Sequence, residues 1–233
     1  MKRFYKMVAV TPAEGGFTVA LDSRPIRTPA KAVLLLPNAA LAEAIAEEWR
    51  AQGDKIEPRG MALTRLANTG IDRVMVERAK ALEDVVRYGG NDLLCYRAAE
   101  PADLVARQAA VWQPWLDWTA ERFGARLTVT SGIVHVPQDA TAMVALRIAV
   151  AAASDLELAG LGAAVQPLGS LVLGLALWQG AIDAEQAADA ALLDELFQAK
   201  KWGDDREAVQ QRQGLRREVG EAAHFLTLLR GGG

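Results

Sequence analysis

The hydrophobic period of the chain changes once, and that change limits the fold more than any motif does. Through residue 36 the apolar side chains fall in short β-type runs, FYKMVAV over 4–10 and FTVAL over 17–21, followed by IRT (26–28) and VLLL (33–36). From residue 38 onward they recur at i, i+3 and i+4, the spacing of helices with one buried stripe. The first two runs meet across Glu14, Gly15 and Gly16, a hairpin signal. Asp22-Ser23-Arg24-Pro25 is turn chemistry, and Pro29 and Pro37 punctuate the later runs. An antiparallel meander of this size cannot bury both of its faces alone and must lean on the helical remainder of the chain. The expectation is an α+β chain, with a small N-terminal antiparallel β-domain over 1–37 and a larger all-helical domain over 38–233, the boundary shifting to about residue 60 at most.

Caps and breakers divide the helical part. Asn38 is a good N-cap, Leu41, Ile45 and Trp49 stack on one face, and Gly53 is a stop. One long helical pattern covers 61–87, with Gly70 inside it. Glycine costs about 1 kcal/mol there relative to alanine, so it marks a bend or a close helix contact. Pro101 opens the next helix, in which Trp112, Trp115 and Trp118 continue an apolar core stripe and Pro114 is expected to kink the axis. Residues 127–136 are β-like. Asp139, the Ser154/Glu157 pair, the Asp183–Gln186 pattern and the acids at 204–207 each begin a further helix. Residues 171–178 (LVLGLALW) are apolar on every side, which predicts a buried central helix.

Composition excludes several classes. With 51% apolar and 24% charged residues, the 233-residue chain is an ordinary globular sequence. Its net charge of −3, without a basic face, argues against nucleic acid as a partner. The single cysteine, Cys95, fits a reducing compartment and reads as a small core residue. The start of the chain lacks the pattern of a secretory signal or a transit peptide, and the longest apolar run is far short of the roughly 20 residues that span a bilayer. A bacterial cytoplasmic protein without membrane insertion is expected, or a mitochondrial-matrix protein if the chain is a processed organellar one.

Chemistry is sparse. His135 and His224 stand apart, neither with a ligand set beside it, so no metal is expected. There is no nucleophile elbow, phosphate loop or dinucleotide fingerprint. The nearest approach to a glycine-rich site loop is Tyr88, Gly89, Gly90, Asn91 and Asp92. Asp194 and Glu195 are adjacent acids on a helix, where neighbouring side chains diverge by about 100° and cannot converge on one substrate atom. Neither catalysis nor a cofactor is supported.

Glu195 nonetheless stands out. A helix projection places Ala188, Leu192, Leu196 and Ala199 in one apolar sector, with Glu195 and Trp202 on its flank. No basic residue lies at i±3 or i±4 of Glu195. Burial of an unpaired carboxylate costs several kcal/mol. Glu195 therefore meets a cation elsewhere in the fold, with Arg212, Arg216 and Arg217 in reach on the next helix, or it faces outward to meet one on another protein.

Five blocks in order carry a resemblance: GFTVALDSRPIRTPA (16–30), AIAEEWRAQ (44–52), YGGNDLLCYR (88–97), GSLVL (169–173) and DELFQ with KWGD (194–204). Nearly end to end, the chain resembles the assembly chaperones for the alpha subunit of the F-type ATP synthase catalytic sector, found in mitochondria and related bacteria. Ser23 and Phe197 depart from the family pattern, which often has glycine and Trp or Tyr there. The resemblance implies an N-terminal β-domain and a C-terminal α-domain, no catalysis and no cofactor. It further implies a monomer that holds the unassembled alpha subunit, shielding a surface later covered by the beta subunit. By position it assigns client binding to Glu195 and, more weakly, to Asp194; Trp202 joins them as an apolar neighbour. Tyr88, Gly89, Gly90 and Asp92 form a candidate ligand or client loop. The alternatives are a small-molecule enzyme with a cleft between the β- and α-domains, and a structural subunit of a stable complex.

Overall fold

The computed structural model describes residues 1–132 and 134–231. The fold is α+β. A three-stranded antiparallel sheet forms from β1 (Val8–Ala13), β2 (Gly16–Leu21) and β3 (Arg24–Pro25), in that spatial order. Val8 stands opposite Leu21 and Ala13 opposite Gly16, so the expected hairpin turns at Glu14 and Gly15. Residues 4–7, expected in the first strand, are not in the ladder, because the Asp22 carboxylate accepts from the amides of Lys6 (3.0 Å) and Met7 (2.8 Å) in place of backbone partners. The later β-type runs shrink to isolated bridges, Arg27 to Val33 and Phe17 to Leu36.

The sheet packs on α1 (Ala39–Arg50), whose N-cap Asn38 accepts from the Leu41 amide at 2.9 Å. Glu48 of α1 caps α2 (Ala62–Thr69) from outside: its carboxylate takes the amides of Leu63 (2.7 Å) and Thr64 (2.8 Å) and the Thr64 hydroxyl (2.7 Å). The single helix expected over 61–87 is broken. A π-helical segment, Gly70–Val74, follows α2, and α3 (Arg78–Gly90) begins after a short turn. The cause is distant in sequence: a Cβ on Gly70 would stand 2.6 Å from Leu156 Cδ2, so Gly70 is both the bend and the close contact.

The sheet, α1, α2 and the π-helical segment belong to the first of two compact units, residues 1–78 with 154–160 and 224–233, whereas α3 beyond Arg78 belongs to the second. Its core joins Val19, Leu34, Leu36, Leu41, Ile45 and Phe225, all fully buried. The sequence boundary at 37/38 lies inside this unit.

The second unit comprises residues 79–153 and 161–223. In chain order it adds β4 (Tyr96–Arg97), α4 (Ala102–Phe123), β5 (Thr130–Ser131) and α5 (Ala140–Ala151). Next come α6 (Asp155–Leu168), which begins in the first unit, α7 (Leu171–Trp178), α8 (Ala184–Ala191), α9 (Leu193–Trp202) and α10 (Arg206–Arg230), which ends in the first unit. Of the β-like run over 127–136, only β5 is strand among the described residues, paired in parallel with β4. Position 133 of that run lies outside them.

All eight residues of α7 are buried, as its uniform apolarity predicts. α7 packs against α4 and α8. The tryptophan stripe on α4 divides. Trp112 is fully buried, with its indole N–H donating to the Ala190 carbonyl at 2.8 Å, whereas Trp115 and Trp118 are half-buried and meet edge to face at 6.4 Å. α4 continues through Pro114 without interruption.

Candidate functional site

The stretch that singled out Glu195 folds as two helices. α8 opens with a capping box between Asp183 and Gln186 and stops at Leu192, and α9 restarts at Leu193. The apolar sector projected through Ala188, Leu192, Leu196 and Ala199 is therefore not one stripe: Ala188 and Leu192 are buried, while Leu196 and Ala199 are only half-buried.

The adjacent acids part company. Asp194 turns toward α4, where its Oδ1 accepts from Gln108 Nε2 at 2.7 Å; Gln108 is itself buried, and its Oε1 accepts from the Ala98 amide at 2.7 Å. Asp194 is thus a tether. Glu195 is exposed, and among the described residues its carboxylate makes no hydrogen bond or ion pair. The candidate internal cations are engaged elsewhere: Arg212 pairs with Asp204, and Arg216 with Asp189 at 2.5 Å. Arg217 makes no ion pair with Glu195.

Seven residues on, about two helical turns, Trp202 falls within about 20° of Glu195 around the axis. It is 72% exposed, with Lys201 Nζ 5.5 Å from its ring centroid. Gly203 ends the helix at φ 88°, a conformation that favours glycine, and donates to the Ala199 carbonyl at 2.8 Å. Asp205 then caps α10 through the Ala208 amide at 2.8 Å. A carboxylate and an indole thus stand on one open strip of α9.

The other side of α9 carries Phe197, Lys200 and Lys201. With Asp103 and Arg107 of α4 they line a concavity of about 530 Å³. Sequence spacing alone does not bring this cluster together. A faint signal exists, since neither lysine has an acid at i−3 or i−4. Nothing local joins them to Arg107.

The glycine-rich stretch is placed very differently. Tyr88, Gly89 and Gly90 lie in the last turn of α3 rather than in a loop. Gly89 is buried under Leu146 and Leu171, while Tyr88 and Gly90 are half-buried. Asp92 is fully buried and accepts from the Leu94 amide (3.1 Å), the Ser170 hydroxyl (2.7 Å) and the Val172 amide (3.0 Å). Ser170, the N-cap of α7, in turn accepts from the Leu173 amide at 3.0 Å. Asp92 therefore satisfies the orphan amides at the start of the most buried helix. Burial pushes its carboxyl up to about 6 against the lowering effect of those bonds. Burial likewise pushes the Cys95 thiol up to about 12, far from a reactive thiolate. Among the described residues, no group of three or more His, Cys, Asp or Glu side chains could hold a metal.

Residues 2–120 match the family model described as ATP12 chaperone protein. The chain belongs to the ATP12 chaperone family. It is similar along 98% of its length to Atp12 from Paracoccus denitrificans, covering 98% of that chain, with 43% identity and a TM-score of 0.94. The match to an Asp-to-Lys mutant of the P. denitrificans protein is equivalent, at 42% identity, the same 98% coverage of both chains and a TM-score of 0.95. The mitochondrial protein atp12 of Schizosaccharomyces pombe is 22% identical over 219 residues, 89% of this chain and 75% of that one. Membership gives this ATP12-family chain a chaperone role in ATP synthase assembly. It also gives a context to two of the resembling blocks, because 88–97 and 169–173 meet in the fold through the Asp92–Ser170 bond. Among the described residues no helix is long and apolar enough to cross a membrane.

Proposed function

We propose that this protein is a non-catalytic chaperone specific for the unassembled alpha subunit of the F-type ATP synthase, and that it holds this client through Glu195 and Trp202. It prevents aggregation of the subunit and hands it on when the catalytic sector assembles. The observation that carries the reading is the state of Glu195: exposed, unpaired among the described residues, and aligned with a 72% exposed tryptophan. An apolar surface around one charge suits temporary capture, since the indole covers a client's apolar interface while the carboxylate selects which client is accepted. Asp194 supports this face by holding α9 to α4. The chain acts as a monomer, in the cytoplasm of a bacterium or, as a processed organellar protein, in the mitochondrial matrix.

Glu195→Lys tests the reading. At an exposed position without a partner it should change stability by less than about 0.5 kcal/mol. Light scattering of purified alpha subunit should show that the variant no longer suppresses aggregation. Unfolding of the variant, or suppression equal to wild type, removes Glu195 from the interface.

A further inference from the structure

The basic concavity lies on the other side of α9 from Glu195, and only Lys201, with its ammonium 5.5 Å from the Trp202 ring centroid, borders the strip that carries Glu195 and Trp202. Arg107, Lys200 and Lys201 are exposed, and among the described residues none lies within ion-pair distance of a carboxylate. Asp103, the one acid in the lining, has its Oδ1 engaged by the Leu104 amide at 3.1 Å. Some other arginines are answered within the chain, Arg50 by Glu43 and Glu47, Arg147 by Glu83 and Arg216 by Asp189, whereas these three cations converge on one concavity. In a chain of net charge −3 the concavity is therefore a local reversal of sign.

Helix electrostatics explain only part of it. Lys200 and Lys201 sit in the last turn of α9, where cations complement the helix dipole. Arg107 is the sixth residue of α4, beyond the first turn over which the dipole acts, and Asp103 one turn earlier is the one acid that shares the lining with it. Phe197 adds an apolar wall between the charges.

We infer that this concavity is a second docking site on the same client, one that receives an acidic segment while Glu195, across the helix, receives a basic residue. The inference rests on the chaperone reading. α9 then carries opposite charges on opposite sides, and a client must present both signs, correctly spaced, to engage it. Such a requirement rejects partners that match only one charge. A peptide carboxylate fits better than a nucleotide phosphate. Nucleotide sites commonly add the backbone amides of a glycine-rich turn to their Lys and Arg side chains, whereas the lining of this open concavity holds no glycine.

Zero-length carbodiimide coupling of the full chain to purified alpha subunit tests the site directly, because it joins a lysine amine only to a carboxylate in contact with it. Peptide mass spectrometry should find Lys200 or Lys201 joined to Asp or Glu of the client. The neutral variant Arg107→Gln/Lys200→Gln/Lys201→Gln changes exposed side chains only. It should bind the alpha subunit at least about tenfold more weakly at low salt, with the difference shrinking as salt is raised. Coupling confined to other lysines, or a triple variant within about twofold of wild type, overturns the proposal. So does tripolyphosphate that binds wild type but not the variant and leaves client affinity unchanged, which marks a small-anion site. The two readings fail separately. If wild type does not bind the alpha subunit, the chaperone reading fails; if Glu195→Lys abolishes binding and the triple variant does not, only the second site fails.

Discussion

α7 and α9 are short helices of the same unit, and they treat their polar groups in opposite ways. Every side chain of α7 is buried, and its first amides are met by Ser170 and Asp92. α9 buries only Leu193, lacks a side-chain N-cap, and leaves Glu195, Lys200 and Lys201 without an ion-pair partner among the described residues. Energetically the first arrangement is one in which a lost partner is costly, since an unsatisfied buried donor carries its full desolvation penalty. The second is one in which exposed side chains are nearly free to change without touching stability. A chaperone needs both. The anchored helix holds the unit together, and in the function proposed above the open one keeps charges available for a client that binds and then leaves.

The largest effect should therefore come from breaking the anchor. Asp92→Ala strips the partner from the amides of Leu94 and Val172 and from the Ser170 hydroxyl, and should destabilise the fold by about 3 kcal/mol or more at neutral pH. Urea unfolding measures it directly; a loss of less than about 1 kcal/mol would place the anchor elsewhere.

The pH dependence of the same site is next. The Asp92 carboxyl is raised from 3.8 to about 6 on folding, so the folded state holds its proton more tightly than the unfolded one. Its contribution is fully present below about pH 4, is lost as pH rises toward 6, and is constant above that. The displacement corresponds to about 3 kcal/mol. Asp92→Asn cannot titrate, so the stability advantage of wild type over this variant should narrow across the window, and taking the difference removes the other groups that titrate there. An advantage that widens with pH would mean that the hydrogen bonds outweigh burial and that the anion is the favoured form.

The anchor also shows what the sequence could and could not reveal. Interactions within a few residues were legible: Asn38, Asp139, Ser154 with Glu157, and Asp183 with Gln186 all cap as their spacing predicts. So was the burial of residues 171–178, because a run without a polar face has no other place to go. What failed depended on partners far along the chain. Asp92 read as part of a candidate ligand or client loop because Ser170 and Val172 come about eighty positions later. The helix over 61–87 read as continuous because Leu156 could not be placed against Gly70. At the candidate site, the lack of a local partner for Glu195 was visible in the spacing. Its exposure, the tether on Asp194 and the approach of Arg107 to the lysines were not, since each is set by how α9 lies on α4.

The smallest of these stability changes separates the adjacent acids. Asp194→Ala leaves the buried Gln108 amide without its acceptor and should cost about 1 kcal/mol, roughly a third of the Asp92 effect. The damage should also be local. Native-state hydrogen exchange should quicken at the amides of α9 while those of α7 keep the protection of global unfolding, because the lost bond ties α9 to α4 and touches nothing in α7. Asp194→Asn retains an oxygen to accept from Gln108 and should restore protection. If Asp194→Ala speeds exchange in α7 as much as in α9, the two helices unfold as one cooperative unit. The contrast between an anchored and an open helix would then lie in their surfaces alone and not in their stability.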